Sequence, residues 1–287
     1  MKFQRVTSAV KFYELVYPYL MMDEALHNLP LGFLKRCAEK EKHQQFINQL
    51  NYFSLVTKQD SEIVLISLMT PSHSIGIYGD VSSENIESAV QITIENILEE
   101  EIVVPGVIGQ NDLAYLFAKE WMKKTGQSFE VAMNQCIYKL SKVNELIMSS
   151  GTMRFATMGD LDLISSWIHR FSYATEAPFT MEQAKQKAED FIKEDSVVLW
   201  IDDHPVSMAR KARSTNNGIC VNLVYTPPDH TRKGYATSCV AELSKHLLKE
   251  GYKFCTLYTD LSNVSSNSIY KKIGYRPIGN SIVYHFN

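Results

Sequence analysis

The sequence contains few cysteines, and their spacing indicates neither a disulfide framework nor a zinc site. The 287 residues include five: Cys37, Cys136, Cys220, Cys239 and Cys255. An odd number without any Cys-x-x-Cys pair argues against both kinds of site. We therefore expect no metal and a reduced, cytoplasmic environment, with Cys220 and Cys255 acting as small apolar residues of buried strands.

Long apolar runs and an excess of positive charge are also missing. No apolar stretch reaches the roughly 18 residues that a membrane span needs, and the amino terminus lacks the apolar segment of a signal peptide. The formal net charge is −3, whereas proteins that bind nucleic acid concentrate Lys and Arg on one face. We expect neither a membrane nor a nucleic acid as partner, and the oligomeric state is left open.

The most informative stretch is residues 224 to 236, where an apolar strand gives way to a basic turn before a helix. Residues 222 to 225 read as a strand, which Pro227 and Pro228 must end because proline cannot continue a ladder. The following residues place two cations and Gly234 directly before a helical pattern. The first amides of a helix are unpaired donors that attract phosphate, and Gly234 leaves room for an anion. The stretch predicts a phosphate-binding turn, although alone it also fits an ordinary helix entry.

A second stretch has a comparable order. Residues 254 to 259 resemble a strand, and a polar loop and a short helix follow. Asn263 and Ser266 are suited to cap this helix, while Gly274 and Pro277 are suited to end it.

Together, the two stretches resemble the GNAT superfamily of N-acetyltransferases. That family carries a Gln/Arg-x-x-Gly-x-Gly/Ala signature and a later Asn-x-x-(Ala/Ser)-x-x-(Phe/Tyr)-Tyr-x-x-x-Gly-(Phe/Tyr) segment. The resemblance covers residues 152 to 287, with a strand at 154–157, an amphipathic helix at 160–171 and a hairpin at 197–209. It implies an α/β fold with a mixed, largely antiparallel sheet flanked by helices. The chain departs from the signature at Thr231, where the family has Gln or Arg and this chain places Arg232 one residue later.

The resemblance implies that acetyl-CoA binds where the strand at 222–225 splays from the strand at 254–259. It also implies direct attack by a primary amine of a small molecule or peptide, without an acyl-enzyme. Tyr270 matches the family tyrosine that protonates the departing thiolate, and the alternative is that it only packs between helix and sheet. The cofactor-binding residues implied are Val224, Tyr225, Thr226, Thr231, Arg232, Lys233, Gly234, Tyr235, Ala236, Thr237, Asn263 and Asn267. For Asn263 and Asn267, helix capping is an equal alternative.

The general base and the acceptor pocket are not fixed by the sequence. Candidates for the base are Glu176, Asp260, Tyr258, His285 or an ordered water. Aromatic residues that could line the acceptor pocket are Tyr173, Phe179 and Trp200, although aromatic residues beside strands more often belong to the core. A second function stays open, in which the protein binds CoA or acetyl-CoA as a sensor without turnover, because Thr231 departs from the signature.

The amino-terminal half repeats the order of patterns in a weaker form. Helices are predicted at 8–19, 31–50 and 83–100, strands at 52–57, 63–69 and 102–104, and residues 109 to 126 resemble the later family segment. No basic turn occurs between residues 74 and 83, and Asp80 and Glu84 would repel a diphosphate. We interpret residues 1–147 as a degenerate GNAT-like domain and 152–287 as the catalytic domain. The alternative is an unrelated α/β domain.

Overall fold

The computed structural model describes residues 1–43, 51–71, 73–173 and 178–287. The candidate base Glu176 and the end of the helix predicted at 31–50 lie outside the described residues. Within the described ranges, no helix is long and apolar enough to cross a membrane.

Contacts divide the chain into two compact units. Unit 1 comprises Met1–Ile137, Asp260–Ser262 and Ile278–Asn287, and unit 2 comprises Tyr138–Thr259 and Asn263–Pro277. Each unit therefore includes residues from both halves of the sequence. The domain division at 147 and 152 is drawn from sequence patterns rather than from these contacts, and it stays a prediction.

Unit 1 is a largely antiparallel sheet with helices packed on it. Its strands run in the spatial order β1-β2-β3-β4-β5-β12, and only the β4–β5 pair is parallel. The last strand, β12, comes from the carboxy-terminal end of the chain and aligns Ile282 with Gly109 of β5. The elements are β1 Lys2–Arg5, α1 Ala9–Met21, α2 Asn28–Lys42, β2 Tyr52–Thr57, β3 Ile63–Met69, β4 Ile75–Gly79, α3 Ile86–Glu99, β5 Gly106–Gly109, α4 Asn111–Thr125, β6 Phe129–Leu140 and β12 Arg276–Phe286.

Unit 2 has the same type of sheet. Its strand order is β11-β10-β9-β8-β7, with β10 and β11 parallel and the other pairs antiparallel. Two short 3-10 helices, Met158–Asp160 and Pro228–His230, precede α5 and α7. The elements are β7 Thr152–Phe155, α5 Leu161–Ser172, α6 Met181–Lys193, β8 Val197–Asp202, β9 His204–Ala212, β10 Gly218–Tyr225, α7 Tyr235–Lys249, β11 Phe254–Asp260 and α8 Val264–Ile273.

The order of elements is repeated. From β1 to β6 and again from β7 to β12, the chain forms one strand, two helices, three strands, a helix, a strand, a helix and a strand. The predicted fold class, a mixed and largely antiparallel sheet flanked by helices in a tandem arrangement, is confirmed. The strand predicted at 102–104 is wrong, because Val103 is exposed in a loop and the strand forms after Pro105. Strand β4 was missed by the sequence patterns.

In unit 2, the helix α5 is positioned by its amino terminus and by its apolar face. Ile164, Trp167 and Ile168 recur at helical spacing and are buried against β8 and α6. Thr157 and Asp160 form a capping box ahead of the helix, and Arg154 of β7 donates two hydrogen bonds of 2.7 Å to the Asp160 carboxylate. This charge pair fixes the helix start to the edge strand.

Asp160 gives the fold a defined pH dependence. The hydrogen bonds from Arg154, and then the Thr157 amide at 2.8 Å, lower the pKa of Asp160 to about 2. The unfolded value is about 3.9, so the stabilisation is complete above that pH and is lost as the pH falls from about 4 towards 2. We expect Asp160→Asn to lower the free energy of unfolding at pH 7 by about 2 kcal/mol and to flatten its pH profile below pH 4.

Denaturant titrations between pH 2 and pH 7 measure this effect. The matched control is Asp162→Asn, an exposed carboxylate in the first turn of the same helix, which should change stability little. Equal losses in both variants would contradict the role of the Arg154 pair.

Candidate functional site

Strands β10 and β11 pair along only part of their lengths. Their parallel register aligns Gly218 with Phe254, Ile219 with Cys255 and Cys220 with Thr256. Within the described chain the pairing ends there, although β10 continues to Tyr225 and β11 to Asp260. A gap between the two strands therefore opens directly after Cys220 and Thr256. The family resemblance implied that the strand at 222–225 splays from the strand at 254–259, which are parts of β10 and β11.

A bulge in β10 bends the strand at the split. From Asn222 to Tyr225 the strand advances three residues while β9 advances two, from Arg210 to Met208. The extra residue is accommodated at Leu223, whose φ is 51°. Such a bulge interrupts the regular ladder at the place where the strands part.

The predicted phosphate-binding turn follows β10 closely. After the 3-10 helix Pro228–His230, Thr231 is extended, and Arg232 and Gly234 take positive φ values of 63° and 85°. A positive φ is easy for glycine and is unusual and strained for arginine, which occurs mainly where surrounding structure or function requires it. The turn therefore bends sharply into the start of α7.

Main-chain donors at the start of α7 have no protein partner. The first helical bond runs from the Ser238 amide to the Gly234 carbonyl, so the amides from Gly234 to Thr237 have no bonded acceptor within the described chain. A Cβ added at Gly234 would meet only the Ser149 side chain, at 3.7 Å. The space beside the Gly234 backbone is therefore open, which leaves room for an anion next to these amides.

The side chains of the turn have different orientations. Thr231 donates its hydroxyl to the Pro228 carbonyl at 2.8 Å, so it closes the turn on itself. Arg232 and Lys233 are exposed beside the open amides. The departure at Thr231 thus removes a side chain from the anion site and leaves two cations next to it.

The turn is anchored from behind by the residues between the two predicted domains, 148–151. Ser149 bonds to the Ser238 hydroxyl through both its amide and its hydroxyl at 2.9 Å. The Asp202 carboxylate accepts hydrogen bonds from the hydroxyls of Tyr235 and Ser150. Both bonds lower the pKa of Asp202, and the bond from Tyr235 has the larger effect. Tyr235, predicted at the cofactor site, thus uses its side chain for anchoring and has only its amide directed to the turn.

Both asparagines of the later family segment make structural bonds. Asn263 is the N-cap of α8 and accepts from the Ser266 amide at 3.0 Å. Asn267 donates to the Asn263 carbonyl at 2.8 Å and accepts from the Tyr138 hydroxyl at 3.0 Å. The capping alternative therefore applies to Asn263, and Asn267 ties the helix to the end of β6.

Tyr270 lies in a cluster of tyrosines. Its ring centroid is 6.4 Å from that of Tyr138 and 6.0 Å from that of Tyr275, and its side chain is 7% exposed. Burial raises the pKa of Tyr270, and a hydrogen bond with Ser266 lowers it by less. The phenol therefore holds its proton firmly at neutral pH, as a general acid must, and it is also well packed between helix and sheet.

The candidate bases and pocket residues are dispersed. Asp260 and His285 belong to unit 1, while Tyr258 belongs to unit 2 and lies 5.5 Å from the Arg213 guanidinium. Trp200 is buried and donates to the Ser150 carbonyl at 2.8 Å, so it belongs to the core. Phe179 packs on the α5–α6 core, whereas Tyr173 is exposed. The choice of base stays open.

Sequence patterns missed two residues at the split. The Asn222 oxygen Oδ1 and the Thr256 hydroxyl oxygen are buried without a hydrogen-bond partner among the described residues. The sequence signal for them is a polar residue within an otherwise apolar strand. That signal indicates a site only once the structure shows where the pairing of β10 and β11 ends.

The cysteines and a cavity in unit 2 lie outside the turn. All five cysteines are buried, and burial raises the pKa of Cys239 and of Cys255 to about 12. A cavity of about 630 Å³ in unit 2 is lined by residues 141–146 and Met148 and by the carboxy-terminal half of α7. Among the described residues, no group of three or more His, Cys, Asp or Glu is placed to hold a metal ion.

The equivalent turn of unit 1 has a different chemistry. Strands β4 and β5 pair in parallel at Ile75 with Val107 and at Gly76 with Ile108. After β4, Asp80 accepts from the amide and the hydroxyl of Ser82 at 2.9 and 2.7 Å, and these bonds lower the pKa of Asp80. This turn therefore carries a carboxylate where the turn of unit 2 carries Arg232 and Lys233.

The chain is similar to known proteins in its carboxy-terminal region and in its fold. The family model described as FR47-like protein matches residues 204–283. A GNAT-family acetyltransferase from Colwellia psychrerythraea is 12% identical over 100% of this chain and 99% of its own, with a TM-score of 0.59. A Drosophila protein is 11% identical over 99% of this chain and 98% of its own, with a TM-score of 0.70. A tandem GNAT protein from the clavulanic acid biosynthesis pathway is 9% identical over 100% of this chain and 98% of its own, with a TM-score of 0.60.

A search of curated proteins finds no match. At such low identities the solved structures establish the fold. The resemblance to GNAT proteins is confirmed at the level of the fold, because the whole chain matches a tandem GNAT structure, and the carboxy-terminal region also matches the FR47-like family model.

Gly234 provides a test of the turn. We expect Gly234→Val to weaken acetyl-CoA binding at least tenfold, because a β-branched side chain would stand in front of the open amides and is strained at positive φ. The matched control is Gly251→Val at the other end of α7, where φ is 105° and nothing lies within 4 Å. Calorimetry and thermal unfolding separate the effects: both variants should lose similar stability, and only Gly234→Val should lose affinity. Normal binding by that variant would show that the anion site lies elsewhere.

Proposed function

We propose that the carboxy-terminal region catalyses transfer of an acetyl group from acetyl-CoA to a primary amine of a small molecule or peptide. The observation that carries the proposal is the row of unbonded amides from Gly234 to Thr237 beside the split between β10 and β11. This combination offers an anion site next to an opening in the sheet that an extended molecule can enter. We place the reaction in the cytoplasm and propose residues 1–147 as a degenerate domain without acetyl-CoA binding.

The turn is suited to hold the diphosphate of acetyl-CoA. Amides of Gly234, Tyr235, Ala236 and Thr237 donate from the positive end of the α7 dipole, and this combination favours a charged phosphate. Arg232 and Lys233 stand beside them with exposed cationic groups. Because the main chain provides most of these donors, the departure at Thr231 is tolerated.

The end of β10 is suited to hold the pantetheine arm. The strand continues past its pairing with β11, so the amides of Val224 and Thr226 can bind an extended amide chain as a sheet edge does. An amide near Val224 or Tyr225 would stabilise the negative charge that develops on the thioester oxygen, an effect worth roughly 3 kcal/mol per donor. Ser207 holds this strand end through the Tyr225 carbonyl and the Thr226 hydroxyl.

Acetyl-CoA supplies an activated thioester. A neutral amine forms the new carbon–nitrogen bond as the carbon–sulfur bond breaks, and the leaving sulfur needs a proton while the nitrogen must lose one. Tyr270 is the proposed donor to sulfur, since burial keeps its phenol protonated. The proton on nitrogen passes to one of the open candidates, Glu176, Asp260, Tyr258, His285 or water.

Two observations favour a second function, binding of CoA or acetyl-CoA without turnover. Thr231 bonds within the turn and offers nothing to an anion, and Tyr270 is enclosed by other tyrosines. A sensor of this kind would need the anion site but no general acid. The two functions differ in whether CoA is released when an amine is added.

Titration and turnover distinguish these functions. We expect acetyl-CoA to bind in calorimetry and CoA release to rise with at least one member of a panel of amino acids, polyamines, aminoglycosides and peptides. Binding without release on any amine would favour the sensor. Absence of binding at millimolar acetyl-CoA would exclude both functions.

The role of Tyr270 is tested by removing its hydroxyl. We expect Tyr270→Phe to lower kcat by about 10²-fold or more while acetyl-CoA affinity changes little, because only proton donation to sulfur is lost. The matched control is Tyr275→Phe, a buried neighbour whose hydroxyl bonds to Ser244 at 2.8 Å. An unchanged kcat in Tyr270→Phe would assign that residue to packing alone.

A further inference from the structure

The split between β10 and β11 contains two buried acceptor atoms without partners in the described part of the chain. They are the side-chain oxygen of Asn222 and the hydroxyl oxygen of Thr256, and Thr256 is 0% exposed. An unsatisfied buried polar atom destabilises a fold, so few persist without a ligand, a water or another role. The two atoms lie together at the end of one pairing, where a ligand with two hydrogen-bond donors would satisfy both.

The strand register places both side chains on one face of the sheet. Thr256 is the partner of Cys220, and Asn222 lies two residues further along β10. Residues two apart on a strand share a face, and residues opposite each other in a register do so as well. Arg210, the β9 partner of Asn222, stacks on Phe191 of α6, which identifies this as the face that carries α5 and α6.

The chemistry of the two atoms specifies the group that fits. An asparagine oxygen only accepts hydrogen bonds, and a threonine hydroxyl oxygen can accept as well. A neutral primary amine has two N–H donors and one lone pair, so it can satisfy both oxygens and still attack with its lone pair. A secondary amine has one N–H donor and would leave one oxygen unpaired.

We propose that Asn222 and Thr256 bind the reacting nitrogen of the acceptor and select primary over secondary amines. The inference rests on the proposed acetyl transfer and specifies its substrate class. The two residues contact the nitrogen through hydrogen bonds and take no proton from it. A buried acceptor left unpaired by the wrong substrate gives strong discrimination.

The decisive variant is Thr256→Val, which keeps the shape and removes the hydroxyl. We expect its melting temperature to be unchanged or higher, because an unsatisfied buried hydroxyl is lost. We expect kcat/KM for a primary amine to fall tenfold or more, with unchanged acetyl-CoA affinity. If the hydroxyl only stabilised the fold, Thr256→Val would instead lower the melting temperature and leave kcat/KM unchanged.

Selectivity gives the second measurement. The primary amine turned over best in the panel and its N-methyl derivative are compared as acceptors. Wild type should favour the primary amine by about 10²-fold or more, and Thr256→Val and Asn222→Ala should each reduce that ratio. If Thr256→Val does not fold, the selectivity ratio is measured on Asn222→Ala alone.

The matched control is Ser74→Ala in unit 1, which removes another hydroxyl oxygen that is buried without a described partner. It should resemble Thr256→Val in stability and leave kcat/KM and selectivity unchanged. Equal use of both amines by wild type, or an unaltered ratio in both variants, would overturn this inference while acetyl transfer stands. Failure of acetyl-CoA to bind, or of any amine to be acetylated, would overturn the proposed function and this inference with it.

Discussion

The incomplete pairing of β10 with β11 is the constraint on which the candidate site depends. Once the register ends at Cys220 and Thr256, the strand end, the turn and the start of α7 all have main-chain groups that the sheet does not use. A parallel pair that continued to Tyr225 would occupy the main-chain groups of the strand end and close the opening. The bulge at Leu223 and the positive φ of Arg232 are backbone costs that the surrounding packing sustains.

The rigidity of the site comes from bonds behind it. Ser149 and Ser150 hold Ser238 and Asp202, and Asp202 in turn holds the Tyr235 hydroxyl. On the other side of the split, Asn267 joins α8 to Tyr138 and so fixes the helix that carries Tyr270. The open amides thus face a fixed space, and the order required for binding is established before any ligand arrives.

The repeated order of elements explains why one half of the chain is favoured as the binding half. Both halves form the same series of strands and helices, and each contains a parallel pair. The turns after β10 and after β4 differ in charge. The turn after β10 carries Arg232 and Lys233, whereas the turn after β4 carries Asp80. A shared fold therefore supports an anion site only where the turn chemistry permits it.

The sequence by itself determined the local features. Proline and glycine fix where β10 ends and α7 begins, and the apolar spacing of Ile164, Trp167 and Ile168 fixes the buried face of α5, because these signals act within a few residues. Only the tertiary structure decided where β10 and β11 part, that β12 pairs with β5 in unit 1, and that Asn222 and Thr256 lack partners among the described residues. Strand pairing and burial depend on residues distant in sequence, so no local pattern contains them.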